Sequence, residues 1–61
     1  YETALHDMNR ALELNPKNPD AYLSRAALYM SMKRKKLAKQ DCHTAISLGA
    51  DRETALRILV E

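Results

Sequence analysis

The stretch PDAYLSRAALYMSMKRKKLAKQDCHTAISLGADR, residues 19–52, decides the fold because parts of it recur at an offset of 34 residues. In this register residues 1–27 pair with residues 35–61. The identical pairs are Ala4/Ala38, Asp7/Asp41, Ala11/Ala45, Leu14/Leu48 and Ala21/Ala55. Most of them are small or apolar residues on one helical face, where two copies of one packed unit must agree. A period of this length predicts an array of supersecondary units that bury their apolar faces on their neighbours.

The hydrophobic periodicity predicts helices at about 2–14, 19–32, 36–48 and 52–60. Asn18 is a good N-cap, followed by Pro19 at the first helical position. Asp51 can cap the last helix, and Gly49 suits a left-handed residue after a helix end. No strand-like alternation is present. Because the connections are short, successive helices must pack antiparallel, which predicts an all-α helix-turn-helix solenoid of about four helices.

The composition limits the function. A chain of 61 residues has room for one thin core and none for a buried catalytic cleft. The net charge of +2 does not by itself imply a nucleic acid or a membrane as partner. Cys42 is the single cysteine, so no internal disulfide can form and a cytoplasmic location is the default expectation. No apolar run is long enough to span a bilayer.

The chain resembles the tetratricopeptide repeat family, whose pattern W-x2-L-G-x2-Y…A-x3-F…P has a period of 34 residues. Under this resemblance, residues 19–52 form one complete repeat and residues 1–18 form the second helix of a preceding repeat. Residues 53–61 form a capping helix or the first helix of a following repeat. The positions that carry the pattern are Ala4, Met8, Ala11, Pro16, Tyr22, Ala26, Tyr29, Ala38, Cys42 and Ala45. A pentatricopeptide repeat, the runner-up, would prefer a period nearer 35 and RNA as its ligand.

The resemblance implies a protein–protein interaction scaffold that binds a peptide or a partner helix in a concave groove. The groove residues that it implies share the side of the second helix turned away from Tyr22, Ala26 and Tyr29. They are Asp20, Leu23, Ser24, Ala27, Met30 and Ser31. The alternative is that this side is merely exposed to solvent and that a partner binds elsewhere.

A second alternative within the family is the carboxylate clamp of co-chaperones, which binds the C-terminus of heat-shock proteins. The text SRAALY…DCHTAI is similar to that subfamily. However, Ser24 stands where the clamp has an Asn, and Asp20 stands where it has a Lys. An acid at that position would repel a carboxylate, which disfavours the clamp.

Two charged features allow a structural or a functional interpretation. Arg25 lies on the inner stripe of its helix and needs an acceptor, so we expect a structural ion pair with Asp41 or Asp7. The basic run Lys33-Arg34-Lys35-Lys36 is the basis of the alternative function, a helical repeat that binds nucleic acid. No aromatic residues are interleaved with it, which favours a solvated turn.

We expect no enzyme activity, cofactor or metal site. Cys42 and His43 are adjacent and therefore lie on different faces of a helix, and no second cysteine is present. The chain starts in the middle of a repeat, so some of Tyr1, Leu5, Met8 and Leu12 should be less buried than their counterparts in the complete repeat. Such a strip favours a substitute partner, either another copy of the chain or a missing part of a longer parent protein. We therefore expect self-association at high protein concentration, through this end of the chain or through an exchanged helix.

Overall fold

A computed structural model describes residues 2–60. Within these residues all the regular secondary structure is helical. The helices are α1 (Glu2–Leu14), α2 (Pro19–Ser31), α3 (Lys35–Ser47) and α4 (Arg52–Leu59). The predicted all-α fold is confirmed, and each predicted boundary lies within one residue of the observed one.

Side-chain caps start two of the helices. The Asn18 side chain accepts a hydrogen bond from the backbone N–H of Asp20 at 3.1 Å, and Pro19 begins α2. At the start of α4, the Asp51 side chain accepts from the backbone N–H of Glu53 at 3.2 Å. Because the first N–H groups of a helix have no intrahelical acceptor, these caps fix where α2 and α4 begin.

Two residues with positive φ reverse the chain between helices. Gly49 has φ 109°, and Lys33 has φ 60°. Glycine adopts such angles freely, whereas a residue with a Cβ adopts them at a cost in free energy. The turn at Lys33 therefore carries backbone strain that a glycine at this position would remove.

The core is built from small residues rather than large ones. Ala26 on α2, Ala38 and Ala45 on α3, and Ala55 on α4 each have 0% exposure. Tyr22 and Tyr29 are half-buried and pack against this cluster. Small side chains let the helix axes approach closely, and the tyrosines fill the gaps beside them. The contact between α2 and α3 is the most extensive in the fold, and α4 packs against both helices.

The repeat-equivalent helices α1 and α3 differ in how deeply their matching residues are buried. Helix α3 contacts both α2 and α4, whereas α1 contacts only α2 among the helices of the described residues. Accordingly Ala4 and Asp7 are exposed while Ala38 and Asp41 are buried, and Met8 and Ala11 are half-buried while Cys42 and Ala45 are buried.

Of the residues expected to be less buried than their counterparts, Met8 is half-buried while Cys42 is buried, as expected. Leu5 is half-buried although its counterpart Lys39 is exposed, so Leu5 does not follow the expectation. Leu12, at 7% exposure, is buried, although its counterpart Ile46 is only half-buried. Leu12 therefore does not follow the expectation. Among the helices of residues 2–60, α2 is the one that α1 contacts. Tyr1, named in the same prediction, lies outside the described residues.

The different burial of Ala4 and Ala38 allows a matched pair of substitutions to test the packing of the core. We expect A38L to lower the free energy of unfolding by about 1–3 kcal/mol, because the added atoms must force α2 and α3 apart. The repeat-equivalent A4L places the same side chain on an exposed position, and we expect a change within about 0.5 kcal/mol. Urea unfolding at low protein concentration measures both. Equal losses in the two variants would contradict this account of the core.

Candidate functional site

A bidentate ion pair joins α2 to α3 on the inner side of the fold. The Arg25 guanidinium donates from Nε to Asp41 Oδ2 and from Nη2 to Asp41 Oδ1, both at 2.7 Å. The Asp41 side chain is 8% exposed and the Arg25 side chain 21%. A bidentate arginine–carboxylate pair fixes the relative orientation of the two side chains in addition to pairing their charges. The structure thus gives Arg25 a partner in the fold.

The same guanidinium reaches α1 through Asn9 rather than through Asp7. Its Nη1 donates to Asn9 Oδ1 at 3.0 Å, and Asp7 is exposed. Residues two apart point to nearly opposite sides of a helix, so Asn9 faces α2 when Asp7 faces away from it. Asn9 was missed by the sequence analysis, and no repeat or spacing signal distinguishes it.

Aromatic rings complete the surroundings of Arg25. Its guanidinium carbon lies 5.5 Å from the centroid of the Tyr22 ring and 5.8 Å from that of Tyr29. Both distances lie in the range of cation–π attraction. The hydrogen bond to Asp41 raises the pKa of Arg25, while burial opposes this shift. The guanidinium therefore stays charged and is occupied by contacts within the fold.

The predicted groove on α2 divides into an exposed and a covered part. Four of its residues are exposed and recur every three or four positions, so they form one stripe along the helix. They are Asp20, Ser24, Ala27 and Ser31. We call these four residues the α2 stripe. They are small or acidic, and nothing in the described residues covers them.

The other two predicted groove residues do not lie on the open surface. Leu23 is 9% exposed and belongs to the same buried cluster as Ala55 of α4, and Met30 is half-buried against that cluster. The reason is that α4 packs against α2 as well as α3. The sequence analysis placed Leu23 and Met30 in the groove because it took α2 to bury only the Tyr22, Ala26 and Tyr29 side.

The repeat offset also gives the α4 equivalents of two residues of the α2 stripe, which the sequence analysis did not consider. Adding 34 to Asp20 and Ser24 gives Thr54 and Ile58 on α4. Thr54 is exposed, and Ile58 is half-buried against the core. Applying the offset to the groove residues, as well as to the core residues, would have found both.

The basic turn and the cysteine have contrasting surroundings. Lys33, Arg34, Lys35 and Lys36 are all exposed. Cys42 is 2% exposed, and its Sγ donates to the Ala55 carbonyl oxygen at 3.5 Å. Burial raises the pKa of the Cys42 thiol, and the neighbouring Asp41 carboxylate adds to the shift. The thiol therefore stays protonated and ties α3 to α4.

Neither a pocket nor a group of three metal-ligating side chains occurs among residues 2–60. None of the helices in that range has the length and hydrophobicity that a membrane crossing requires. The structure thus offers helix faces as its candidate functional surfaces.

Comparison with known proteins identifies the family. A family model described as a TPR repeat, that is, a tetratricopeptide repeat, matches residues 1–33. The chain belongs to the tetratricopeptide repeat family. The match covers α1, α2 and the turn after them, and this family generally mediates protein–protein interactions. Neither a curated protein nor a solved structure gives a significant match.

The Arg25–Asp41 pair gives the first stability prediction for this repeat. We expect R25L to lower the free energy of unfolding by about 3 kcal/mol, because it leaves the Asp41 carboxylate buried without a partner. The double variant R25L/D41L removes both charges and should regain most of that loss. Urea unfolding measures the two, with R10L on the exposed face of α1 as the control. A double variant no more stable than R25L would contradict the ion-pair explanation.

The Cys42 thiol gives a pH dependence. Because its pKa in the folded state is raised above the ordinary value of 9.0, the folded state holds this proton more tightly than the unfolded state. The contribution to stability is complete below pH 9 and is lost as the pH rises toward the folded-state pKa. One proton limits the slope to about 1.4 kcal/mol per pH unit.

The measurement is urea unfolding from neutral to alkaline pH. Subtracting the curve of C42A from that of the native chain removes the titration of other groups. We expect the native chain to lose stability faster than C42A above pH 9. Parallel curves would show that the thiol has the same pKa in both states.

Proposed function

We propose that this chain is a protein–protein interaction module that binds an extended peptide or a partner helix along the α2 stripe. The observation that carries the proposal is the unbroken exposure of Asp20, Ser24, Ala27 and Ser31 in a member of a protein-binding family. The proposal makes α2 the recognition helix and gives α1 and α3 a supporting role.

The chemistry of the stripe defines the kind of partner. Ser24, Ala27 and Ser31 have short side chains, so a partner backbone can come close to the helix and use the two hydroxyls as donors or acceptors. Asp20 places a negative charge at the start of the stripe and favours a basic residue at the facing end of the partner. The same carboxylate, with Ser24 in place of an amide, disfavours the C-terminal carboxylate that co-chaperone clamps bind.

We propose the repeat boundaries that the sequence suggests. Residues 19–52 form one complete repeat, residues 1–18 the second helix of a preceding one, and residues 53–61 a cap or the first helix of a following one. The extensive α2–α3 contact and the Arg25–Asp41 pair support treating α2 and α3 as one unit. The exposure of Thr54 supports a recognition surface that continues onto α4.

We propose a non-catalytic role, in keeping with tetratricopeptide repeats, which typically serve as scaffolds. Cys42 has the most nucleophilic side-chain type in the chain, and it is buried, protonated and engaged with Ala55. His6 and His43 are exposed on different helices. These positions favour a binding surface over a nucleophile–base pair.

The nucleic-acid alternative relies on the exposed turn Lys33–Lys36 alone. Stacking on aromatic side chains supplies much of the affinity for single strands. Tyr22 and Tyr29 are half-buried and lie against Arg25, which withholds them from such stacking. The α2 stripe is therefore the better supported site.

Selection from a displayed library of random peptides tests the proposal. We expect selected peptides to bind the native chain and to lose at least about tenfold in affinity for A27R, because a long charged side chain at the centre of the stripe blocks a close-lying backbone. The matched control T44R puts the same side chain on an exposed position of α3, and we expect it to bind normally.

Two results would contradict the proposal. Peptides that bind A27R as well as the native chain would place recognition elsewhere. Tight binding of single-stranded RNA that weakens steeply with salt and disappears when Lys33–Lys36 are neutralised would support the nucleic-acid alternative.

A further inference from the structure

We propose that copies of this chain associate head to tail, with the outer face of α4 in one copy packed on the outer face of α1 in the next. The α1 face consists of Ala4, Asp7, Met8 and Ala11. The α4 face consists of Leu56 and Leu59, together with Val60, the residue with extended backbone that follows the end of α4. The template for the contact is the α2–α3 interface within the chain, so the occupant of each face is a second copy. The proposal goes beyond the proposed function and does not use the α2 stripe.

The α1 face is the repeat equivalent of the α3 surface that lies in the core. The offset of 34 residues converts Ala4, Asp7, Met8 and Ala11 into Ala38, Asp41, Cys42 and Ala45. The latter four are all buried, whereas Ala4 and Asp7 are exposed and Met8 and Ala11 are half-buried. Within residues 2–60, the surface of α1 that is equivalent to the one on α3 is therefore incompletely covered.

The α4 face is in turn the repeat equivalent of the α2 surface that packs on α3. The same offset converts Tyr22, Arg25 and Ala26 into Leu56, Leu59 and Val60. Leu56 is 50% exposed and Val60 73% exposed, which makes them two of the most exposed large hydrophobic residues. One copy thus offers an α2-like face and the next an α3-like face. Bringing them together buries apolar surface on both sides.

One position in this contact is mismatched. Where Asp41 meets Arg25 within the chain, Asp7 of one copy meets Leu59 of the other. A carboxylate brought against an apolar side chain loses water without gaining a partner, which costs free energy. The template therefore predicts a weak association whose strength depends on this one pair of positions.

The contact is also directional. It joins two different faces, so each added copy leaves an α1 face and an α4 face open at the ends. Association of this kind gives a series of growing species with concentration. A contact between two α1 faces would instead stop at a dimer.

Sedimentation over a wide concentration range tests the proposal. Four proteins are compared, namely the native chain, D7N, L59R and the double variant D7N/L59R. In the native background we expect D7N to strengthen association about threefold or more, because it removes the unpaired charge. We expect L59R to strengthen it about tenfold or more, because it recreates the Arg25–Asp41 pair between copies. In the L59R background D7N should weaken association, so the sign of its effect reverses.

Several comparisons make the result decisive. D7N removes a negative charge and L59R adds a positive one, so both make the net charge of the chain more positive. General repulsion between copies would therefore weaken association in every variant and could not reverse the sign of the D7N effect. Q40R, on the exposed face of α3, adds the same charge away from both faces and should associate no better than the native chain. M8K should abolish association, since it places a charge at the centre of the α1 face. Thermal unfolding followed by circular dichroism checks that L59R still folds, because Leu59 packs partly against the core.

Three outcomes would overturn the proposal. The first is a native chain and an L59R variant that both stay monomeric. The second is a species that never exceeds a dimer. The third is a D7N effect of the same sign in both backgrounds when L59R folds. If L59R does not fold, D7N overturns the proposal by failing to strengthen association in the native background.

Discussion

The close approach of α2 and α3 is the constraint on which the rest of the structure depends. The chain has no Trp or Phe with which to fill a wide gap between these helices. The fold instead closes the gap with alanines at zero exposure on both helices. Ala26 on α2 lies in the same buried cluster as Ala38 and Ala45 on α3. Dispersion contacts fall off steeply with distance, so a core of this kind holds together only while the helices stay close.

The Arg25–Asp41 pair operates within that constraint. Because the helices are close, the Asp41 carboxylate is nearly covered and needs a hydrogen-bond donor within the fold. The planar guanidinium of an arginine suits this need because it donates two parallel hydrogen bonds. Arg25 meets this requirement and also reaches Asn9, so one side chain links three helices. Buried ion pairs often add little net stability compared with apolar residues. We infer that this pair chiefly fixes the register of α2 against α3.

The sequence was sufficient for the fold and for part of the candidate site. Helix boundaries followed from periodicity and caps, and the repeat offset identified the buried alanines because both copies must satisfy the same packing. The environment of Leu23 could not be predicted in this way, since it depends on how α4 lies across α2. The role of Asn9 depends on the reach of the Arg25 side chain, and the burial of Leu12 depends on how α1 packs in the tertiary structure. All three are tertiary effects with no local signature.

Under the proposed function, the repeat offset separates packing positions from recognition positions in this chain. Ala21 and Ala55 are identical across the offset and both are buried, so this one packing position of α2 is repeated in α4. Along the α2 stripe the pairs are Asp20/Thr54 and Ser24/Ile58, which share neither charge nor size. A partner lying across both helices would therefore contact the Asp20 carboxylate and the Ser24 hydroxyl on α2. On α4 it would contact the Thr54 hydroxyl and the aliphatic side chain of Ile58. Because the core alone has to repeat, each recognition helix is free to present its own chemistry, and a short array can distinguish partners without changing its fold.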